Sequence, residues 1–274
     1  MELNELLASK TALPSIPKAV ALLLSELARP EPDLRKLGQL IGTDPALTTR
    51  LLTLANSAMF NFSRKVSNIP EALAILGIDH LRSLAQAAAL GLSFRAVPGV
   101  NLQQFWRYSL NVAKLTRSLA GMVRQNTSTA FTAGLVHAVG ELVMHIGMPA
   151  EMAALNQQLL PLDLRRARIE TRRLGFCYAD VGAGFAREWQ FPDCIVDALQ
   201  CQIAPFDDGV YEPLVGVVHL AVWRARAKEV EMDENALAVS FPGEVGLALG
   251  LDIDMVLQQD PIDWSAKNDM GAFI

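Results

Sequence analysis

The chain is 274 residues long, 51% hydrophobic and 19% charged, with a formal net charge of -5. That length suits one large domain or two closely packed ones, and no apolar run is long enough to span a bilayer. The N-terminus, MELNELLASK, has acidic residues where an export signal has basic ones, so a cytoplasmic protein with no membrane partner is expected.

Charge is unevenly placed. Residues 175–274 carry 17 acidic against 5 basic side chains, a balance that repels polyanions and makes nucleic acid an unexpected partner. Cys177, Cys194 and Cys201 are odd in number and lack CxxC spacing, so neither a disulfide framework nor a structural zinc site is expected.

In chain order the dominant period is helical. Helices are expected near 16–28 and 33–41, then over DPALTTRLLTLANSAMF (44–60), where Asp44 can cap and Pro45 occupies the first position. Asn68 caps the next, with Pro70 behind it, Glu71 three residues on as in a capping box, and Gly77 closing in a left-handed conformation. Asp79 then caps a helix to about Leu92. Further helices are expected near 104–124, 128–148, 163–174, 180–189, 193–203 and 213–228. No alternating β-branched run demands a sheet, so the fold class is all-α. AVPGVN (96–101) and PFDDG (205–209) break the pattern. The first break separates an N-terminal helical part (1–97) from a helical core (98–228), and after about residue 229 the pattern is less regular, giving an acidic extension (229–274) packed on the core or trailing from it.

Few residues advertise chemistry. The pair DLRKLGQLIG and TDPALTTRLLTLAN could form a helix-turn-helix with Thr48, Thr49 and Arg50 facing bases, but Arg50 is the one basic residue on its helix. Ser57 and Ser109 have no histidine and acid at recognisable spacing, and no glycine-rich phosphate loop appears. His80 and His219 read as structural histidines. In LRRARIETRR, Arg165, Arg166, Arg168, Arg172 and Arg173 fall on one broad helical arc, a solvated face or a docking surface for an acidic or phosphorylated partner.

Six stretches, LPSIPKAVALLLSEL, IGTDPALTTRLLTLANSAMF, VSNIPEALAILGIDHLRSL, FWRYSLNVAKLTRSLA, AFTAGLVHAVGEL and LGFCYADVGAGFAREWQFPDCIVDAL, together resemble the HDOD domain, the HD-related output domain of bacterial signalling proteins. The resemblance covers roughly residues 13–225. It implies a multi-helical core like that of the HD metal-dependent phosphohydrolases, with an N-terminal helical subdomain.

It also implies where metal ligands would stand. Those positions hold Tyr108, His137, Ala138, Tyr178, Gln202 and Val222, and only His137 keeps a ligand. One neutral imidazole cannot hold a hard divalent cation against water. His145, eight residues on, would lie about 12 Å along a helix and some 80° round it, too far to share a metal. No cofactor and no catalytic residue is therefore expected, and the old site is expected to be collapsed and hydrogen-bonded around His137. The resemblance implies a stand-alone, non-catalytic signalling module, with no room for a fused receiver domain, acting on other signalling proteins or sensing a small ligand. The arginine face and the acidic region after residue 205 are the candidate surfaces. The alternative is a phosphohydrolase with a displaced site recruiting His137, His145 and acidic side chains.

Overall fold

The structure, a computed structural model, describes residues 2–9, 13–60, 63–90, 96–207, 211–258 and 260–262. Leu92 at an expected helix end, Asp208 and Gly209 of the second break, and residues 263–274 of the extension lie outside the described residues. In chain order the helices are α1 (Leu3–Leu7), α2 (Pro17–Leu27), α3 (Leu34–Ile41), α4 (Pro45–Ala55), α5 (Ile69–Leu90), α6 (Leu102–Met122), α7 (Thr127–Val136), α8 (Val139–Gly147), α9 (Pro149–Asn156), α10 (Arg166–Leu174), α11 (Tyr178–Glu188), α12 (Asp193–Cys201), α13 (Pro213–Glu229), α14 (Glu234–Ser240), α15 (Gly243–Leu249) and α16 (Ile253–Gln258). Among the described residues there is no strand, and the fold is all-α.

The local signals act as their chemistry dictates. The Asp44 carboxylate accepts from the backbone N–H groups of Ala46 and Leu47, capping α4. Its other oxygen takes the N–H of Ile16, the residue that leads into α2, at 2.6 Å. One fully buried carboxylate therefore ties together the starts of two helices far apart in sequence. Burial raises this carboxyl to about 6, against the pull of those three amides and of Arg50. Asn68 Oδ1 accepts from Glu71 N, and Gly77, at φ +70°, bends α5 where an L side chain would be strained. The second half of α5 starts anew after this kink, as expected, but the Asp79 carboxylate takes Arg82 Nη1 at 3.1 Å, one turn on, where a backbone cap was expected. The helix expected to reach residue 60 ends at Ala55, because Asn56 turns back to bond both the N–H and the carbonyl of Val66.

Helices α2 to α5 pack on one another, and α4 leans on α7. The rest is arranged around α13, which is apolar on nearly every side and is covered by α6, α7, α12 and α15. α8 lies against α11 so closely that a Cβ on Gly140 would come 2.0 Å from the Tyr178 carbonyl oxygen. α1 crosses to dock on α11, and Val245, Leu251 and Val256 of the C-terminal segment join the same hydrophobic core. One stretch, Thr127–Gly147, is long and apolar enough to cross a membrane, and 89% of it is buried inside the protein. It is apolar because it is core.

That stretch is not one helix. The helix expected over 128–148 breaks at His137 and Ala138, where Ala138 adopts φ -109°, ψ 12°. The Glu141 N–H bonds the Ala138 carbonyl at 3.0 Å and not the His137 carbonyl one turn back, which is left for another donor. The geometry of an unbroken helix therefore does not relate His145 to His137.

Asp44→Ala removes a cap and strands buried amides, so urea denaturation is expected to show a loss of about 2–4 kcal/mol. Asp44→Asn keeps the α4 cap but sets a donor against Ile16 N, and should fall between the two.

Candidate functional site

Tyr108, His137, Ala138, Tyr178, Gln202 and Val222 are all buried, drawn from α6, the α7–α8 break, the start of α11, the end of α12 and α13. His137 Nδ1 lies 2.7 Å from the Gly134 carbonyl oxygen, which can only accept, so Nδ1 carries the proton and donates. Nε2 is left as an acceptor for the Tyr108 hydroxyl at 3.1 Å. That hydroxyl accepts in turn from Nε of Arg226 at 3.0 Å. The result is a continuous chain: Arg226 donates to Tyr108, Tyr108 to His137, His137 to the backbone. The Arg226 guanidinium also donates through Nη1 to the Asp163 carbonyl at 2.9 Å and lies 5.1 Å from the centre of the Tyr178 ring, within cation–π range.

Gln202 supplies the donor that the helix break requires. Its Nε2 gives one bond to the His137 carbonyl and one to that of Leu199, each at 2.9 Å. Its own carbonyl accepts from His219 Nδ1 at 2.6 Å. Burial holds His137 as a neutral imidazole, its pKa depressed to about 3, and lowers that of His219 as well.

These residues do not fit a divalent metal. Both nitrogens of His137 are engaged, the amide nitrogen of Gln202 is a donor, Ala138 and Val222 carry no ligand atom, and a permanent cation stands among them at Arg226. Among the described residues no three His, Cys, Asp or Glu side chains converge as a metal would need.

A second buried group of charges lies on the α8–α10 side. Arg166 Nε donates to Glu170 Oε1 at 2.7 Å, its Nη2 stands 3.5 Å from Glu141 Oε1, and Glu170 Oε2 accepts from Tyr178 N. Burial and the neighbouring Glu141 carboxylate lift Glu170 to about 8, and burial raises Glu141 as well. His145 is buried here, donating from Nδ1 to the Glu141 carbonyl and accepting from Asn156.

Arg166 therefore leaves the surface to which the arginine arc assigned it. It is fully buried, because α10 begins at Arg166 and its first turn faces Glu170 and Glu141, whose charge makes an interior guanidinium tolerable. Arg168, Arg172 and Arg173 are exposed, and Arg165 is exposed and paired with Asp163. The early helical pair offers no base-reading face either. Thr48 and Thr49 are buried, and Arg50 donates to Ser15 Oγ and the Leu13 carbonyl.

Two hollows bear on function. One, of about 320 Å³, has Tyr178, Gln202, His219, Val222 and Arg226 in its wall. The other, of about 680 Å³, is an apolar groove between α3, α5, α6 and α7, where Arg35, Lys114 and Arg117 surround Leu73 and Phe131. Sequence reasoning missed Arg226. The available signal was its place one helical turn after Val222 on α13, on the same face as a lost ligand.

An all-helical core with His137 buried in a hydrogen-bonded centre defines an HD-like helical protein. The HDOD domain profile matches residues 13–205, and the chain belongs to the HDOD family. The crystal structure of the MmoQ response regulator from Methylococcus capsulatus is similar, with a TM-score of 0.72 at 22% identity, covering 92% of this chain and 98% of that one. A candidate phosphohydrolase from Shewanella amazonensis is 27% identical, with a TM-score of 0.53 and 94% and 92% covered. An uncharacterized protein of Treponema pallidum is 24% identical over 212 residues, 76% of this chain, and the chain spans 41% of that relative's length.

Tyr108→Phe leaves Arg226 Nε and His137 Nε2 without partners in the core, and urea denaturation should show a loss of about 2–3 kcal/mol. The pH dependence has a defined sign. His137 titrates near 6.5 when unfolded and near 3 when folded, so its contribution is full above pH 6.5 and is lost as pH falls toward 3. Glu170, raised by folding, works in the opposite sense, its contribution being lost as pH rises toward 8, so a difference measurement is required. Between pH 7 and pH 5 wild type should lose about 2 kcal/mol relative to His137→Gln.

Proposed function

We propose that this HDOD chain is a non-catalytic signalling module of the cytoplasm, acting on other signalling proteins or responding to a small ligand. The observation that carries the reading is the hydrogen-bonded chain from Arg226 through Tyr108 to His137, which puts a fixed cation and donor groups where a phosphohydrolase needs metal charge. The likeness to a protein described as a response regulator supports the signalling half. Arg168, Arg172 and Arg173 form the positive face open to a partner carrying carboxylates or phosphates.

A second reading, a phosphohydrolase with a displaced metal site, is favoured by the likeness to the Shewanella protein. Metal analysis of the purified chain, combined with turnover of bis-p-nitrophenyl phosphate in manganese or magnesium, separates the two. The first reading expects no stoichiometric metal and no turnover; both together would establish the second. Ala138→Asp is expected to gain no tight metal site, because the cation at Arg226 remains. Arg168→Glu combined with Arg172→Glu and Arg173→Glu should weaken capture of an acidic partner at least tenfold while leaving the melting temperature nearly unchanged. An identical capture profile would remove this face from consideration.

A further inference from the structure

The hollow beside Arg226 has walls that specify a ligand. Leu164, Ile203, Val222 and Trp223 make it apolar, and none of its described lining residues is acidic. Arg226, only 4% exposed, brings a positive charge into this wall, and among the described residues no carboxylate pairs with it; its partners are a phenol, a backbone carbonyl and an aromatic ring. The Glu141 and Asp163 carboxylates act on it only through space, so this desolvated cation has no directly paired counter-charge among the described residues.

Two acceptors stand in the same wall. Gln202 Oε1 is buried and makes no hydrogen bond, its amide nitrogen being used twice on the backbone. His219 donates from Nδ1 to the Gln202 carbonyl, so Nε2 of the neutral ring is an acceptor. The wall thus offers one cation and two acceptors, with the Tyr178 phenol and Ser240 set among otherwise apolar side chains.

We propose that this cavity binds a small hydroxy acid with an apolar tail: the carboxylate on Arg226, the hydroxyl donating to Gln202 or His219, the tail against Trp223 and Val222. One guanidinium matches one carboxylate, whereas a phosphate dianion would be left half-compensated in an apolar wall. An ammonium in place of the hydroxyl would meet the charge of Arg226, which selects hydroxy over amino acids. The volume, about 320 Å³, accommodates a molecule of this size. The inference deepens the ligand-responsive form of the function proposed above and rests on it.

Calorimetric titration of the full chain with α-hydroxyisocaproate, isocaproate and inorganic phosphate tests it. Saturable binding is expected for the hydroxy acid, about tenfold weaker binding for isocaproate, which lacks one hydrogen-bond donor, and none for phosphate. Ala167→Leu, which fills the cavity from α10, should abolish binding with the helical circular dichroism intact. Arg226→Met should also abolish it, but Arg226 braces Tyr108, so Ala167→Leu decides the matter if the arginine variant does not fold. No saturation by either acid at millimolar concentration, equal affinity for the two acids, preference for phosphate, or binding indifferent to Ala167→Leu each overturns the proposal. Bound metal with turnover would instead defeat the non-catalytic reading, an outcome that these titrations do not mimic.

Discussion

A guanidinium buried without an acid at its side organises the centre of this protein. Desolvating such a cation costs several kcal/mol, and Arg226 offsets that through bonds to the Tyr108 hydroxyl and the Asp163 carbonyl and through the face of the Tyr178 ring. Each partner is thereby fixed in turn. Tyr108 must point its proton at His137, His137 must hold its proton on Nδ1, and the chain must break after His137 so that its ring and carbonyl can face different neighbours. Gln202 and His219 then bind the end of α12 and the first half of α13 to that break. The tight α8–α11 contact at Gly140 closes the arrangement from behind, bringing Tyr178 to its place over the cation.

The second cation obeys the same accounting with different partners. Arg166 has two carboxylates, Glu170 and Glu141, both raised above the usual carboxylate range by burial. The two arginines divide the interior. One side is a charge-paired cluster that includes His145; the other is a chain of neutral donors and acceptors ending on a single positive charge beside a hollow.

Much of the fold was legible in the sequence because its signals are local. Asp44 before Pro45, Asn68 before Glu71 and Gly77 between two apolar runs each act through neighbouring backbone, and each appears where the pattern places it. The family resemblance likewise pointed to six positions, all of which are buried. What periodicity could not convey was the fate of individual charges. Arg166 and Arg226 look like solvated residues by type, and only partners distant in sequence, Glu141 for one and Tyr108 for the other, make them interior. The second role of Asp44, reaching 28 residues back to Ile16, was hidden for the same reason, as was the break at Ala138, which depends on Gln202 to receive a freed carbonyl.

At the positions where the family resemblance implies metal ligands, the polar and aromatic side chains are committed to other partners. His137 now orients a tyrosine, Gln202 satisfies a main-chain carbonyl, and Tyr108 and Tyr178 surround a cation. Replacing Tyr108, Tyr178 or Gln202 by a metal ligand removes at least one of these contacts before any ion can repay the loss. The structure is thus biased against a metal centre here: installing one passes through destabilised intermediates, while substitutions that refine the hydrogen-bonded centre remain open to small steps.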